Sequence, residues 1–246
     1  MLQILYILYF WLIVMPVFCI ATILTASLVI VGCLLGGERF FSYYPGMVWS
    51  RFTCYLALCP VKVKGRELLD GKQSCVFVAN HQSAFDIFLI YGFLGVPIKW
   101  MLRQGIAKIP FVGAACRSAG FIFVDHSSPQ AVRRSIAEAK VRLRDGASLA
   151  IFPEGSRTRN GKMGRFRKGA FHVALSQRLP VVPITINGTY HVLPKGTLNV
   201  RPHRMEMVIH APVQIDEHVP DGKDGLQTFA DDVQKIIAAS LWKEFV

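Results

Sequence analysis

The sequence predicts an α/β fold, a mixed and largely parallel sheet flanked by helices, preceded by an N-terminal hydrophobic helical membrane anchor. From Val61 onward, short apolar runs of strand length alternate with segments of helical length, which is the order typical of α/β domains. Before that, residues 1–37 contain no charged side chain, and the stretch is longer than the roughly 20 residues that span a bilayer as a helix. At 246 residues the chain is long enough for one sizeable domain and an accessory segment.

The uncharged stretch of residues 1–37 predicts a membrane anchor whose form the sequence leaves open. One unbroken helix of this length would measure about 50 Å, which exceeds the roughly 30 Å of the hydrocarbon core. Pro16 lies near the middle and favours a kink or a break. A long tilted helix, a span with an interfacial extension, and two shorter helices dipping into one leaflet all fit. A cleaved signal peptide is not favoured, because no basic region precedes the apolar core.

Residues 40–59 are rich in aromatic side chains and contain a single charged residue, Arg51. Aromatic side chains of this kind favour a membrane interface. A hydrophobic helix packed against the soluble domain is an equally good interpretation. In either case we expect residues 1–60 to form the membrane anchor and interfacial helices, and residues 61–246 to form the α/β domain.

Seven strands and five helices are predicted after residue 60. The predicted strands are 61–64, 75–79, 97–102, 120–125, 148–152, 181–186 and 205–209. The predicted helices begin at Ser83 and at Ile109, with Pro110 near its first turn, and span 130–144, 169–177 and 229–245. The alternating pattern of 61–64 indicates an edge strand, and the pair Asp145-Gly146 is expected to end the third helix.

Positive charge is concentrated in the body of the protein. The formal net charge is +12 and 52% of the residues are hydrophobic, yet only Glu38, Arg39 and Arg51 are charged before Val61. An apolar front and a basic body predict a protein that lies on a membrane and meets anionic ligands or lipids. Nucleic acid would also explain the charge, but we expect none, because most aromatic residues lie in the membrane segment or in predicted strands.

The six cysteines are scattered and form no C-x-x-C pair. They predict neither a disulfide framework nor a zinc site. A reducing environment fits this pattern. The α/β domain is therefore expected to face the cytoplasm, and the expected location of the protein is the inner (cytoplasmic) membrane of the cell.

The stretch Asn80-His81-Gln82-Ser83-Ala84-Phe85-Asp86 follows a predicted buried strand and opens a helix. Ser83 and Asp86 form a capping-box-like start to that helix. His81 then lies in the strand-to-helix turn, where open α/β sheets display functional groups. We expect the Asp86 carboxylate to reach back to one imidazole nitrogen and to leave the other free to act as a base. The competing interpretation is an ordinary helix cap beside a surface histidine.

A second cluster, Phe152-Pro153-Glu154-Gly155-Ser156-Arg157, also follows a predicted buried strand. We expect the sheet to bring it beside the loop that carries His81. Arg157 offers a planar fork suited to phosphate, and Gly155 permits close approach of the backbone. More basic residues follow, and for most of them we expect contact with lipid headgroups or solvent: Arg159, Lys162, Arg165, Arg167 and Lys168.

Together these motifs resemble the membrane glycerophospholipid acyltransferase family, and in particular its bacterial 1-acylglycerol-3-phosphate acyltransferases. The resemblance covers roughly residues 61–212. It rests on five blocks in order: N-H-x4-D at 80–86, I-P-x-x-G at 109–113, a strand ending in aspartate at 121–125, F-P-E-G-[ST]-R at 152–157, and V-P-[IV] at 182–184. H-x4-D alone would be a weak signal, but the ordered set is specific. The resemblance implies a glycerolphosphate-acyltransferase-like fold.

The resemblance also implies a reaction. An acyl chain would pass from an acyl thioester to the sn-2 hydroxyl of 1-acylglycerol-3-phosphate (lysophosphatidate), giving phosphatidic acid for phospholipid biosynthesis. His81 would act as general base and Asp86 would orient it. The implied substrate-binding residues are Arg103, Glu154, Gly155, Ser156 and Arg157. No cofactor and no metal are implied. Acyl-CoA or acyl carrier protein would be the donor, and the lipid bilayer would supply the acceptor.

Two departures from the family pattern concern the acceptor. His126 stands where an arginine is usual after the aspartate of the third block, and the pair Arg103-Gln104 stands where lysine is common. Another lysolipid, either a lyso-aminolipid or a lysophospholipid, is therefore an alternative acceptor. A non-catalytic, membrane-anchored binder of anionic lipids is a second alternative, which the intact pair of His81 and Asp86 disfavours.

Overall fold

Seven strands form one mixed sheet in the computed structural model of the protein, which describes residues 2–71, 73–125, 127–144, 147–215 and 225–245. The strands are β1 (Val61–Lys64), β2 (Val76–Ala79), β3 (Ile98–Arg103), β4 (Ile122–Val124), β5 (Ser148–Ile151), β6 (Val181–Asn187) and β7 (Met205–Ile209). Their order across the sheet is β1-β7-β6-β2-β5-β3-β4. Strands β6 and β7 are antiparallel, and the other neighbouring pairs are parallel. The predicted mixed, largely parallel sheet is confirmed.

Burial of the strands follows their position in the sheet. Strands β2, β5 and β6 lie in the interior and every residue in them is buried, which explains why their sequences are mostly apolar. Strand β1 lies at an edge and alternates between half-buried and exposed side chains. The register pairs Val78 in β2 with Ile151 in β5. Because these strands are parallel, the chain leaves both of them at the same edge of the sheet.

Helices cover both faces of the sheet. They are α1 (Leu2–Tyr9), α2 (Met15–Leu34), α3 (Glu38–Phe41), α4 (Tyr44–Leu56), α5 (Phe85–Phe93), α6 (Val112–Ser118), α7 (Pro129–Arg144), α8 (Gly169–Gln177), α9 (Thr189–Val192) and α10 (Leu226–Ala238), with 3₁₀ turns at Arg66–Leu68, Gln104–Lys108 and Lys243–Phe245. Alternate residues of β2 face two separate cores. Phe77 joins the core that contains α5, and Val78 joins the core that contains α8 and α10.

The N-terminal helix is continuous. Helix α1 passes through one π-helical turn, Phe10–Val14, into α2. Of the kink or break that Pro16 favours, the described residues show no break, because the π-helical turn directly before the proline relaxes the regular hydrogen-bond ladder there. The helix from Gln3 to Leu34 is long and apolar enough to cross a membrane, with a mean hydropathy of 2.6 in its most apolar window. By length and composition, this segment is suited to associate with a membrane.

One side of this N-terminal helix packs on the body of the protein. The hydroxyls of Tyr6 and Tyr9 donate to backbone carbonyls at the end of α4, over 3.1 and 2.8 Å. Further along, Trp49 donates from its indole nitrogen to the hydroxyl of Thr22 at 3.1 Å. The other side leaves large apolar side chains exposed, among them Leu12, Leu24 and Leu34.

Helix α4 satisfies both interpretations that its sequence allowed. Its inner side is buried and packs against α5 and α2. Its outer side exposes the aromatic rings of Tyr44, Phe52 and Tyr55. The helix is therefore packed against the domain on one side and open to a membrane interface on the other.

The predicted helix at 229–245 is wrong at both ends, since α10 begins at Leu226 and ends at Ala238. The chain turns after α10 because the buried side chain of Asn187 binds its backbone. The Asn187 amide donates to the carbonyl of Ser240 at 2.9 Å, and its oxygen accepts from the N–H of Trp242 at 2.9 Å.

The helix expected to open at Ile109 begins instead at Val112, because Phe111 adopts a positive φ of 59° and forms a turn. The other predicted strands and helices are present, with ends shifted by one or two residues where they differ. Asp145 and Gly146, predicted to end α7, and His126 lie outside the described residues.

Candidate active site

Three segments that follow or end parallel strands meet at one edge of the sheet. Strands β2, β5 and β3 are neighbours. The chain leaves β2 at Asn80 and His81, and it leaves β5 at Phe152, while Arg103 is the last residue of β3. The carboxyl ends of parallel strands are the usual place for ligands in open α/β sheets. The sequence motifs are therefore gathered at one place by the strand order.

The turn after β2 is held by Asn80, whose side chain is fully buried. Its amide nitrogen donates to the carbonyl of Ile186 at 2.9 Å, and its amide oxygen accepts from the N–H of Ile186 at 2.8 Å. The side chain thus pairs with β6 as a backbone would, at the point where β2 ends. This fixes where His81 leaves the sheet.

Asp86 binds His81 and caps helix α5 with the same carboxylate oxygen. Oδ2 lies 2.7 Å from His81 Nδ1 and accepts from the backbone N–H groups of Gln82 and Ser83 at 2.7 and 2.8 Å. The hydroxyl of Ser83 accepts in turn from the N–H of Phe85 at 3.2 Å, which completes the predicted capping box. Because a carboxylate only accepts, the neutral imidazole carries its proton on Nδ1 and its lone pair on Nε2.

The plane of the His81 ring is fixed by aromatic stacking. The imidazole lies on the ring of Phe152, with centroids 3.9 Å apart and planes within 8° of parallel. Trp100 stacks on the far side of this assembly, 5.5 Å from Phe152. The ring of His81 is therefore held both by Asp86 at one edge and by Phe152 on one face.

Glu154 binds backbone and is nearly buried, with 8% of its surface exposed. Oε1 accepts from the N–H of His81 at 2.7 Å, and Oε2 accepts from the N–H of Gly164 at 2.8 Å. Burial raises the pKa of this carboxyl to about 7, against the lowering effect of the two N–H groups. In the structure Glu154 joins the turn after β2 to the segment that follows β5. The contacts that Glu154 makes in the structure are with the backbone, and its part in substrate binding stays a prediction.

The loop at 152–157 is tied to the His81 turn through the backbone as well. The N–H of Thr158 donates to the carbonyl of His81 at 2.9 Å. Gly155 adopts a φ of 74°, a left-handed conformation that a side chain would strain. Its N–H donates to the carbonyl of Phe152 at 3.0 Å. The chain can therefore turn back sharply and present Ser156 and Arg157.

A cavity of about 560 Å³ opens in front of His81. It is lined by the predicted residues Arg103, Gly155, Ser156 and Arg157 together with His81. The remaining wall is largely apolar and includes Ala84, Ile87, Met101, Leu102, Ile106, Ile109, Ile136 and Phe152. A basic nitrogen, cationic side chains and an apolar wall thus share one cavity, which is the arrangement that an amphiphilic anion requires.

Two cationic side chains that the sequence did not single out for this cavity also line it, Lys195 and Arg167. Lys195 follows α9, and its ammonium group donates to the backbone carbonyl of Arg157 at 2.9 Å. Nearby, the hydroxyl of Ser83 donates to the carbonyl of Leu193 at 2.8 Å. Lys195 belongs to none of the sequence motifs described above, so only the fold shows that its side chain reaches the cavity. Arg167 belongs to the basic run for most of which we expect contact with lipid headgroups or solvent, and in the structure it lines the cavity.

Other predicted features lie away from this cavity. Asp86 lies behind His81 and is fully buried. Gln104 is exposed and is not among the described residues that line the cavity. A larger cavity of about 780 Å³ lies at the opposite end of the strands, next to Cys75, Ile98 and Ser148, and contains none of the predicted site residues.

The sequence that contains this site matches a known protein family. Residues 60–187, which are more than half of the chain, match the sequence profile of a family described as Acyltransferase. The chain belongs to the acyltransferase family. The matched range of this acyltransferase contains His81, Asp86, Arg103 and the 152–157 loop, whereas Lys195 lies beyond it.

Several relatives carry a more specific name. The acyltransferase is 34% identical over 167 residues to a 1-acyl-sn-glycerol-3-phosphate acyltransferase of Pseudomonas aeruginosa, an alignment that covers 65% of this chain and 63% of that protein. It is 30% identical over 207 residues to the chloroplastic 1-acyl-sn-glycerol-3-phosphate acyltransferase of Arabidopsis thaliana, covering 80% of this chain and 58% of that protein. It spans between 51% and 66% of the length of the plant proteins it matches.

The fold of the acyltransferase also matches a solved structure. The crystal structure of the 1-acyl-sn-glycerophosphate (LPA) acyltransferase from Thermotoga maritima superposes with a TM-score of 0.80 at 26% sequence identity. The match covers 98% of each chain. It therefore includes the N-terminal helices as well as the sheet.

Proposed function

We propose that this acyltransferase transfers an acyl chain from an acyl thioester to the sn-2 hydroxyl of 1-acylglycerol-3-phosphate and so makes phosphatidic acid. One observation carries the proposal. His81 is bound through Nδ1 to the buried carboxylate of Asp86 at 2.7 Å, and it lines a cavity that also holds four cationic side chains and an apolar wall. The proposed base, the proposed phosphate site and the proposed acyl site therefore share one cavity.

The chemistry needs one proton relay. The acceptor hydroxyl oxygen attacks the carbonyl carbon of the thioester while its proton moves to Nε2 of His81. The C–S bond then breaks, and the departing sulfur takes the proton from the imidazolium, which yields the ester and the thiol. Asp86 stabilises the imidazolium and keeps the ring in the reactive tautomer. Direct transfer needs no acyl-enzyme, and no G-x-S-x-G elbow occurs in the sequence.

The cationic part of the cavity suits the phosphate of the acceptor. Arg103, Arg157, Arg167 and Lys195 all line it. Two or more cations in one site bind a dianionic phosphate more strongly and more specifically than they bind an uncharged glycerol. The planar guanidinium fork also matches phosphate oxygens. Gly155 and Ser156 form the adjoining wall. The acyl chain would lie against the apolar side chains of the same cavity.

The names of the relatives support this choice of acceptor. The Pseudomonas and Arabidopsis proteins and the Thermotoga structure are all named for 1-acylglycerol phosphate acylation. Acyl-CoA or acyl carrier protein is proposed as the donor. The proposed location is the cytoplasmic membrane with the catalytic domain facing the cytoplasm, because Arg39 and Arg51 follow the apolar helix closely and no basic residue precedes it.

The test is acyl transfer by the full chain in detergent, with isotopically labelled acceptors and an acyl thioester. Labelled phosphatidate and free thiol should appear in equal amounts with lysophosphatidate. Lysophosphatidylethanolamine and lysophosphatidylglycerol are offered in parallel. Faster turnover with either of these would transfer the assignment to another lysolipid. Thiol release without any lipid product would contradict acyl transfer to a lysolipid altogether.

Arg157→Ala tests the phosphate site in the same assay. Loss of one charge-assisted contact to the phosphate should raise KM for lysophosphatidate by roughly tenfold to a hundredfold. The matched control is Arg165→Ala, an exposed arginine of the same basic loop that is not among the described residues lining the cavity. An equal effect of the two substitutions would show that Arg157 acts only through the general positive charge of the loop.

A further inference from the structure

The segment between β3 and α6 carries an exposed apolar tip at the mouth of the cavity. Its side chains Ile109 and Phe111 are 47% and 51% exposed. Ile109 also lines the His81 cavity, together with Ile106 of the preceding 3₁₀ turn. An apolar surface therefore runs from the wall of the cavity outward to the phenyl ring of Phe111.

The backbone at the tip is strained. Phe111 has φ 59° and ψ −52°, and the N–H of Val112 donates to the carbonyl of Pro110 at 2.6 Å. This is a γ-turn with a positive φ at its central residue, a conformation that is rare and costly for a bulky side chain. Folding thus holds a large apolar ring outward in solvent. Exposing such a ring to water is unfavourable, whereas contact with an apolar partner removes the ring from water and is favourable.

The charge around the tip identifies the partner. From residue 87 to residue 124 the chain has four basic side chains, Lys99, Arg103, Lys108 and Arg117, and no acidic one. Lys108 and Arg117 are exposed beside the tip. Helix α6, which begins directly after Phe111, packs against helix α2 of the membrane-associated N-terminal segment. An apolar tip with basic flanks, continuous with the anchor, matches the surface of a bilayer that contains anionic lipid.

We propose that residues 106–111 form a second membrane contact, in which Phe111 inserts into the lipid interface and Ile109 joins the bilayer to the His81 cavity. The contact would let the acyl chain of a bilayer-resident acceptor enter the cavity without crossing water. The proposal extends the function proposed above, on which its kinetic test rests. The fluorescence test below does not depend on catalysis.

The kinetic test uses the full chain reconstituted in vesicles of phosphatidylcholine and phosphatidylglycerol. Phe111→Asn removes the ring, and asparagine tolerates a positive φ. With a long-chain acceptor in the bilayer, kcat/KM should fall by about tenfold, since burial of a phenyl ring contributes roughly that factor or more. With a short-chain acceptor dissolved below its critical micelle concentration, the rate should stay within about twofold. Phe111→Trp should restore the bilayer activity.

The matched control is Leu198→Asn, because Leu198 is 76% exposed and apolar but lies outside the tip and is not among the described residues lining the cavity. Its rate should equal that of the wild type with both acceptors. An equal loss for Phe111→Asn with both acceptors would overturn the proposal, because the tip would then act within the site or on folding. A loss seen with acyl carrier protein as donor and absent with acyl-CoA would overturn it in favour of a protein docking surface.

The fluorescence test compares Phe111→Trp and Leu198→Trp in vesicles with brominated lipid. Quenching should exceed that of the wild type for the first variant and match it for the second. Equal quenching of the two variants would contradict insertion of the tip. If the wild type proved inactive on every lysolipid, the proposed function would fail while this measurement would still decide whether the tip meets the membrane.

Discussion

At the scale of the residue, the site depends on carboxylates that differ in their tasks. Asp86 is buried and binds the imidazole of His81, whereas Glu154 binds backbone N–H groups on two loops. Asp86 contacts the side chain that we propose to react, and Glu154 contacts the backbone that carries it. The motif F-P-E-G-[ST]-R predicts that Glu154 has a role in the site. It does not predict that the carboxylate binds backbone N–H groups, because one of these belongs to Gly164, ten residues further along the chain.

Glu154 makes stability depend on pH. Its pKa is about 7 in the folded protein and about 4.5 for an unburied glutamate. The folded chain therefore binds more protons than the unfolded chain between these values, so the contribution of Glu154 to the free energy of unfolding is greatest below pH 4.5 and is lost as pH rises to about 7. The loss is at most about 3 kcal/mol. Thermal unfolding of wild type and Glu154→Gln, measured across this range, should show the difference between them shrinking as pH rises.

If the difference in thermal stability between wild type and Glu154→Gln did not change with pH, the assignment of a raised pKa to Glu154 would be contradicted. Glu154→Gln should also be less stable at low pH, since its amide group faces two N–H donors that need acceptors. Asp232→Asn is the control, because Asp232 is exposed and paired only with Lys235 on the surface among the described residues.

Lys195 should contribute to acceptor binding although no motif contains it. Its ammonium group donates a hydrogen bond to the carbonyl of Arg157 and adds positive charge to the cavity. Lys195→Met should raise KM for lysophosphatidate by about tenfold with little change in kcat. Steady-state kinetics at varied acceptor concentration measures this. Lys168→Met is the control, an exposed lysine outside the described lining of the cavity, and a similar effect in both variants would remove the special role of Lys195.

At the scale of the element, the strand-to-helix connection after β2 gives His81 its position. Asn80 continues the pairing of β2 with β6, and the capping box of Ser83 and Asp86 starts α5 within four residues. These two sets of hydrogen bonds restrict the conformation of the turn that carries His81. This is why a residue in a loop can hold its ring in a fixed plane.

Asn80→Ala should destabilise the protein through β6. The N–H and the carbonyl of Ile186 would both lose their buried partner, at a cost of about 2–4 kcal/mol in the free energy of unfolding. Thermal unfolding in detergent should show a Tm lower by roughly 5–10 °C. Asn160→Ala in an exposed loop should change Tm by much less. Equal effects would mean that Asn80 does not carry the connection.

The elements themselves could largely be predicted from sequence. Buried strands such as β2 and β5 are mostly apolar, and Ser83 and Asp86 mark a helix start, because local chemistry determines both. The end of α10 could not be predicted, because it depends on the buried Asn187, far away in the chain, which binds Ser240 and Trp242. The late start of α6 depends on the γ-turn at Phe111, which no local rule for an aromatic residue favours.

At the scale of the whole molecule, strand order converts separate motifs into one cavity beside a membrane segment. The H-x4-D and F-P-E-G-[ST]-R motifs are close because β2 and β5 are neighbours and parallel. The sequence predicts this for an α/β sheet in general. It could not predict Lys195 or the apolar wall, since those side chains reach the cavity from loops and helices whose relative position only tertiary packing defines.

The account as a whole requires His81 to be the general base, and turnover by His81→Ala tests this most directly. Full-length wild type, His81→Ala and Asp86→Asn would be compared for thiol release and labelled phosphatidate, with Tm measured to show that each variant is folded. The account predicts that His81→Ala lowers kcat by about 10²–10⁴-fold, with KM for the acceptor little changed and Asp86→Asn also impaired. Folded His81→Ala that turns over within about twofold of the wild-type rate would contradict it.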